Sequence, residues 1–170
     1  ELVPPDAAPP EGAGRVYPSG YQWDPQPHPE GRISFLFPDK LGSAKNAVAC
    51  RGQDVPVKPD RYLAVHILGA SSNGGASGEI SLNYADGGTA APLSMSDWTG
   101  GAKQGEKVGL AVRHLHSHGG DEPGKYGYLY HYSVPLDSSR TLTGITLPTS
   151  PEMKVLAITF ERVRLPGQAP

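Results

Sequence analysis

The densest concentration of reactive side chains lies between residues 113 and 122, which read RHLHSHGGDE. His114, His116 and His118 occupy alternate positions. On an unbroken β-strand they would project from one face, about 6.5–7 Å between successive rings. Two such imidazoles can ligate one Zn²⁺ or similar ion, because neutral nitrogen donors suit borderline metals. Asp121 or Glu122 would then add a carboxylate to the shell. The same residues serve equally well as a polar strand end at a sheet rim. There the imidazoles would hydrogen-bond protein groups or sugar hydroxyls.

Directly downstream, Tyr126, Tyr128, Tyr130 and Tyr132 alternate with Gly127, Leu129 and His131. Aromatic rings on one strand face can accept the C–H face of a pyranose while the phenol hydrogen-bonds. Alternate tyrosines are just as readily half-buried core, and Tyr130 and Tyr132 are assigned to that role. Tyr126 and Tyr128, beside the glycine-rich stretch 119–127, are the candidate stacking platform. Trp98 closes a Ser96-Asp97-Trp98 segment and is assigned to packing. Trp23 and Tyr21 lie in a proline-rich stretch, where an exposed aromatic is costly unless it packs or binds. Trp23 is kept as a candidate ligand contact. Asp24, Asp86 and Asp97 could each contribute to a structural calcium ion, although no Asp-rich calcium loop is present.

Other chemistries find little support. Cys50 is the sole cysteine, so no internal disulfide can form, and it reads as a small buried hydrophobe. No Gly-x-Ser-x-Gly elbow occurs, and a pair of glycosidase carboxylates cannot be recognised from spacing alone. The expectation is therefore a protein that is not an enzyme and requires no cofactor.

These residues must be positioned by short elements. The chain has 170 residues, of which 22 are Gly and 18 Pro, too many breakers for long helices. An apolar fraction of 37% against 19% charged places it among globular domains. Net charge is −2 without a basic stripe, so nucleic acid is not an expected partner. No apolar run approaches the length of a membrane span, so neither is a membrane.

Ile33, Phe35 and Phe37 alternate, and 53–57 reads as an edge strand because Pro56 interrupts it. Residues 61–68 (RYLAVHIL) are apolar on both faces and read as a central strand. Residues 69–78 read as a loop of small residues, followed by a strand from Glu79 in which Ile80, Leu82 and Tyr84 share a face. Asp86-Gly87 marks a hairpin. Further strands are expected over 90–96, from Val108 to His116, and over 126–134, 141–147 and 153–163. About nine or ten strands without a helical period predict an all-β antiparallel sandwich or jelly roll. Residues 1–14 read as a linker or loose arm, 15–165 as one domain and 166–170 as a tail. A first residue of Glu1 is expected either from signal-peptide removal or from excision out of a larger protein.

Several phrases recur in one order: YLAVHILGASSN at 62–73, GEISLNYADG at 78–87, Ser96-Asp97-Trp98, YHYSVPL at 130–136, TLTGITLP at 141–148 and VLAITF at 155–160. Together, over roughly 32–163, they resemble the galactose-binding-like β-sandwich modules borne by microbial glycoside hydrolases. The resemblance implies a secreted, carbohydrate-binding accessory domain whose partners are a glycan and the catalytic domain of the parent chain. It also implies, in some members, a structural calcium. His116, His118, Asp121, Tyr126, Tyr128 and Trp23 are then the expected ligand contacts. Two alternatives stand beside it. One is a purely structural module packed on a catalytic domain. The other is a metal-dependent enzyme, because His116-Ser117-His118 with Glu122 is similar to the first cupin motif. Against the cupin pattern, Leu110 stands where that motif has glycine, and no Asn follows Asn83.

Overall fold

The computed structural model describes residues 15–16, 23–24, 33–36, 46–117 and 120–163; for 15–16, 23–24, 113–117 and 120–123 the description is of the backbone. Alternation of apolar and polar residues, broken by Gly, Pro and Asp, produces eleven strands and no helix among these residues. They are β1 (Arg15–Val16), β2 (Trp23–Asp24), β3 (Val48–Ala49), β4 (Asp54–Asp60), β5 (Tyr62–Ser71) and β6 (Ala76–Tyr84). β7 (Gly87–Met95), β8 (Lys107–Ser117), β9 (Gly120–Pro135), β10 (Leu142–Thr146) and β11 (Met153–Arg162) complete the order.

Nine of these strands form two antiparallel sheets that face each other, β4-β10-β6-β7 and β3-β11-β5-β9-β8; β1 and β2 pair separately. This is the expected sandwich. The interior takes Val65, Ile67, Tyr130, Tyr132 and Met153 from the larger sheet and Ile80, Leu82, Leu93, Met95 and Ile145 from the smaller. Each fully buried aliphatic chain contributes about 1.5–3 kcal/mol relative to exposure. β4 does lie at a sheet edge, where prolines, which lack a ladder donor, are tolerated.

The small-residue stretch 69–78 is largely strand, not loop: β5 runs on to Ser71 and β6 starts at Ala76. The glycines there answer to packing. A Cβ at Gly69 would lie 2.3 Å from the Lys154 carbonyl oxygen, and one at Gly78 would lie 2.8 Å from the Pro148 side chain. The hairpin at Asp86 also forms, with Tyr84 opposite Gly87, whose φ of 133° few other residues could adopt.

β5 is buried on both faces, as its sequence predicts, although only one face meets the other sheet. Val65, Ile67 and Gly69 point inward, with Met95 of β7 against Gly69. Ala64, His66, Leu68 and Ala70 point outward and are buried too. Residues 33–36 contribute to that cover. Thr159 Oγ1 of β11 donates a 2.6 Å hydrogen bond to the Ser34 carbonyl, and the Phe35 ring meets the His131 ring edge-on at 5.7 Å.

Candidate functional site

The β8–β9 hairpin is the longest feature of the sandwich. β9 pairs with β5 only from Tyr130 onward, and residues 120–129 are laddered with β8. Along this part of β9 and into the part paired with β5 the tyrosines stack in series. Tyr126 and Tyr128 have ring centroids 6.4 Å apart and Tyr128 and Tyr130 6.0 Å, both inclined by 20°. Exposure falls along the row: Tyr126 is 47% exposed, Tyr128 half-buried and Tyr130 fully buried. The inner end is anchored. Tyr130 donates its hydroxyl proton to the Asp97 carbonyl at 2.9 Å, and the Ser96 amide donates to the Tyr132 hydroxyl at 3.1 Å. Burial, aided by the nearby Glu106 carboxylate, pushes the Tyr130 phenol up to about 12. Burial likewise raises Tyr132. Both are packing residues, as expected, and the outer pair forms an accessible aromatic face. Trp98 is half-buried against the core, and its carbonyl accepts from the Tyr128 amide at 2.6 Å.

The histidine-rich stretch occupies the end of this hairpin. By backbone register His116 stands opposite Asp121, His114 opposite Pro123 and Ser117 opposite Gly120. His116 and Asp121 are thus brought to one register position, whereas Glu122 stands opposite Leu115. A register shift between Val112 and His114 interrupts the ladder at the start of the histidine stretch. His118 lies outside the described residues, and Trp23 is described only as a backbone member of β2, paired with Val16. The linker assigned to 1–14 and the tail assigned to 166–170 also lie outside them.

A second constellation escaped sequence reasoning. His66 Nδ1 lies 2.9 Å from His131 Nε2, and His66 Nε2 lies 3.2 Å from Glu161 Oε2. Each histidine is 5% exposed. They come from neighbouring strands on the outward face of the larger sheet, since Leu68 pairs with His131 and Thr159 with His66. With Glu161 ionised, it accepts the Nε2 proton of His66, leaving Nδ1 of the neutral ring as an acceptor toward His131. The pair borders a cleft of about 470 Å³, lined also by Ser94, Gln104, Lys107 and Ser133. The cleft opens because β8 begins opposite His131, so Tyr132, Ser133 and Val134 have no partner on that strand. Its lip is the turn 103–106, held by Glu106, which accepts from the amides of Lys103 at 3.3 Å and Gln104 at 2.7 Å. Burial alone would raise the Glu106 carboxyl; hydrogen bonds from Ser96 and these amides outweigh it and hold it below the usual range. The available signal was polarity in the wrong place: two histidines within strands that read as buried must find partners.

A family model described as AziU2-like beta-sandwich domain matches residues 11–164. The chain belongs to that family. No curated protein matches the sequence. Membership in the AziU2-like family carries the sandwich architecture, which the galactose-binding-like resemblance also implied, and names no ligand, partner or reaction.

Of the remaining candidates in this AziU2-like domain, Asp24 is described only as a backbone member of β2, paired with Arg15, whereas Asp97, Asp86 and Cys50 have structural roles. Asp97 accepts from the Gly74 amide at 2.7 Å, the Thr99 amide at 2.8 Å and the Thr99 hydroxyl at 2.6 Å, which closes the turn beneath Trp98. Burial works against that carboxylate, but these hydrogen bonds prevail and lower its pKa. Asp86 is clamped by Arg140, whose guanidinium also lies 4.1 Å over the Tyr84 ring. Among the described residues, no group of three or more His, Cys, Asp or Glu side chains is placed to hold a metal ion. Cys50 is fully buried, and desolvation, partly offset by Lys154, pushes its thiol up to about 11. It is a buried packing residue, as expected.

Proposed function

We propose that this domain is a non-catalytic, carbohydrate-binding accessory module that works beside a glycan-active catalytic domain in a secreted protein. The observation that carries it is the Tyr126–Tyr128 face: an exposed ring stacked on a half-buried one and braced by buried Tyr130. Rings held in register present a flat apolar surface at little entropic cost, the surface a pyranose C–H face requires. His116 and Asp121, paired in backbone register across the same hairpin, are the hydrogen-bonding groups for sugar hydroxyls in this proposal. So open a platform desolvates few atoms, so affinity belongs in the micromolar to millimolar range.

Affinity electrophoresis of the full chain through gels of plant, fungal and animal polysaccharides tests it. Retardation by at least one glycan, abolished in Tyr126→Ala with the melting temperature little changed, is the expected result. Migration unaffected by every glycan, or equal retardation of wild type and Tyr126→Ala, would overturn it.

A further inference from the structure

We infer that the His66–His131 pair is a binding site for one divalent transition-metal ion of the Zn²⁺, Ni²⁺ or Cu²⁺ class, open to the cleft beside it. Two ring nitrogens converge at 2.9 Å, both rings buried, from adjacent strands of one sheet. With the Nε2 proton of His66 donated to Glu161, the proton between the rings is carried by His131 Nε2. To ligate through Nε2, His131 takes its other tautomer: the proton leaves Nε2 and, by exchange with solvent, Nδ1 gains one, so both rings stay neutral and the ion lies between Nδ1 of His66 and Nε2 of His131. Zn–N bonds of about 2.0–2.1 Å at a tetrahedral angle hold two ligand nitrogens about 3.3–3.4 Å apart. The nitrogens, which point at one another in the hydrogen-bonded pair, therefore separate by about 0.4–0.5 Å, and each ring turns by roughly 35° about its side-chain bonds so that both lone pairs meet at the ion.

The behaviour of Glu161 is the second observation. Its carboxylate lies 3.2 Å from His66 Nε2, on the side of the ring away from His131. A carboxylate behind a ligating imidazole fixes the tautomer that turns the other nitrogen to the metal, and it raises that nitrogen's basicity. It also supplies a negative charge close to the dication. Imidazole donors without converging carboxylate oxygens favour borderline metals over Ca²⁺ or Mg²⁺. The cleft bordered by both histidines leaves the remaining coordination positions to water or to a small ligand entering past Ser94 and Gln104. This is a different place from the histidine-rich hairpin end: it joins residues 65 and 95 positions apart in sequence.

The test is calorimetric titration of the EDTA-treated full chain with Zn²⁺ and Ni²⁺ alone, after replacing His114, His116 and His118 by Ala to remove the competing imidazoles. One ion per chain is expected, with shifts of the His66 and His131 imidazole ¹⁵N resonances. Glu161→Gln retains an acceptor oxygen and so the fold, yet should weaken binding about 10–100-fold. His131→Gln should abolish it. If His131→Gln does not fold, the Glu161→Gln affinity and the ¹⁵N shifts still decide. Absence of binding up to millimolar metal, imidazole resonances indifferent to metal, or equal affinity in Glu161→Gln would overturn the inference and leave a hydrogen-bonded pair only.

Discussion

Replacing Phe35 by Ala isolates the contribution of the segment that crosses the outward face of the larger sheet. Phe35 is 0% exposed, while its neighbour Leu36 is 81% exposed. A buried phenyl group removes roughly 150–250 Å² from water, and at about 25 cal/mol per Å² that is about 4–6 kcal/mol as an upper bound. Alanine keeps its methyl, and neighbours relax in part, so truncation should cost about 3–5 kcal/mol. His131, met edge-on by this ring, would lose part of its cover. Leu36→Ala, one residue away, should change stability by less than about 0.5 kcal/mol. Urea denaturation followed by fluorescence measures both, and in a thermal melt the Phe35 variant should fall by roughly 6–20 °C for a domain of this size. A Phe35→Ala loss under about 1 kcal/mol, or an equal loss in Leu36→Ala, would refute the assignment of this segment to the fold.

Other outcomes follow from the same geometry. Gly69→Ala places a methyl 2.3 Å from the Lys154 carbonyl oxygen, a backbone atom tied into the β5–β11 ladder. It should destabilise by about 1–3 kcal/mol in chemical denaturation, whereas tolerance would mean that the ladder yields there. The Asp97 carboxyl titrates below its ordinary value when folded, so its stabilising effect is complete above the unfolded pKa near 3.9 and is lost as pH falls through the folded value. The stability gap between wild type and Asp97→Asn should accordingly be flat above about pH 5 and shrink toward about pH 2, measured by urea titration at several pH values. With its thiol pushed up to about 11 and fully buried, Cys50 should react with Ellman's reagent at neutral pH only when the domain unfolds. Rapid labelling under native conditions would contradict that placement.

Much of the architecture was legible because a two-residue period can satisfy only a sheet with one face against a core. Ile80, Leu82 and Tyr84 announce β6 in this way, and the apolar run at 61–68 announces the doubly covered β5. Pro56 marks an edge because it cannot donate to a ladder. Part of the aromatic face was legible too, since the alternation of Tyr126 to Tyr132 specifies a shared side of one strand. Which of these rings is exposed was not. That depends on where β9 leaves β5, a property of strand lengths on both sides of the pairing.

Small residues misled where propensity and packing compete. Gly69 and Gly78 look like loop residues, yet they sit in strands because backbone and proline approach too closely for any side chain. The Glu161–His66–His131 chain lay beyond local pattern altogether. Periodicity tells which face a residue occupies within its own strand. It carries no information about which residue of another strand lies opposite. That is set by the register of β5 against β9 and β11, including the bulges in β11, through hydrogen bonds between segments distant in the chain. Alternation along the chain thus decided the strands and their buried sides, and only the pairing of those strands in space decided which polar groups meet.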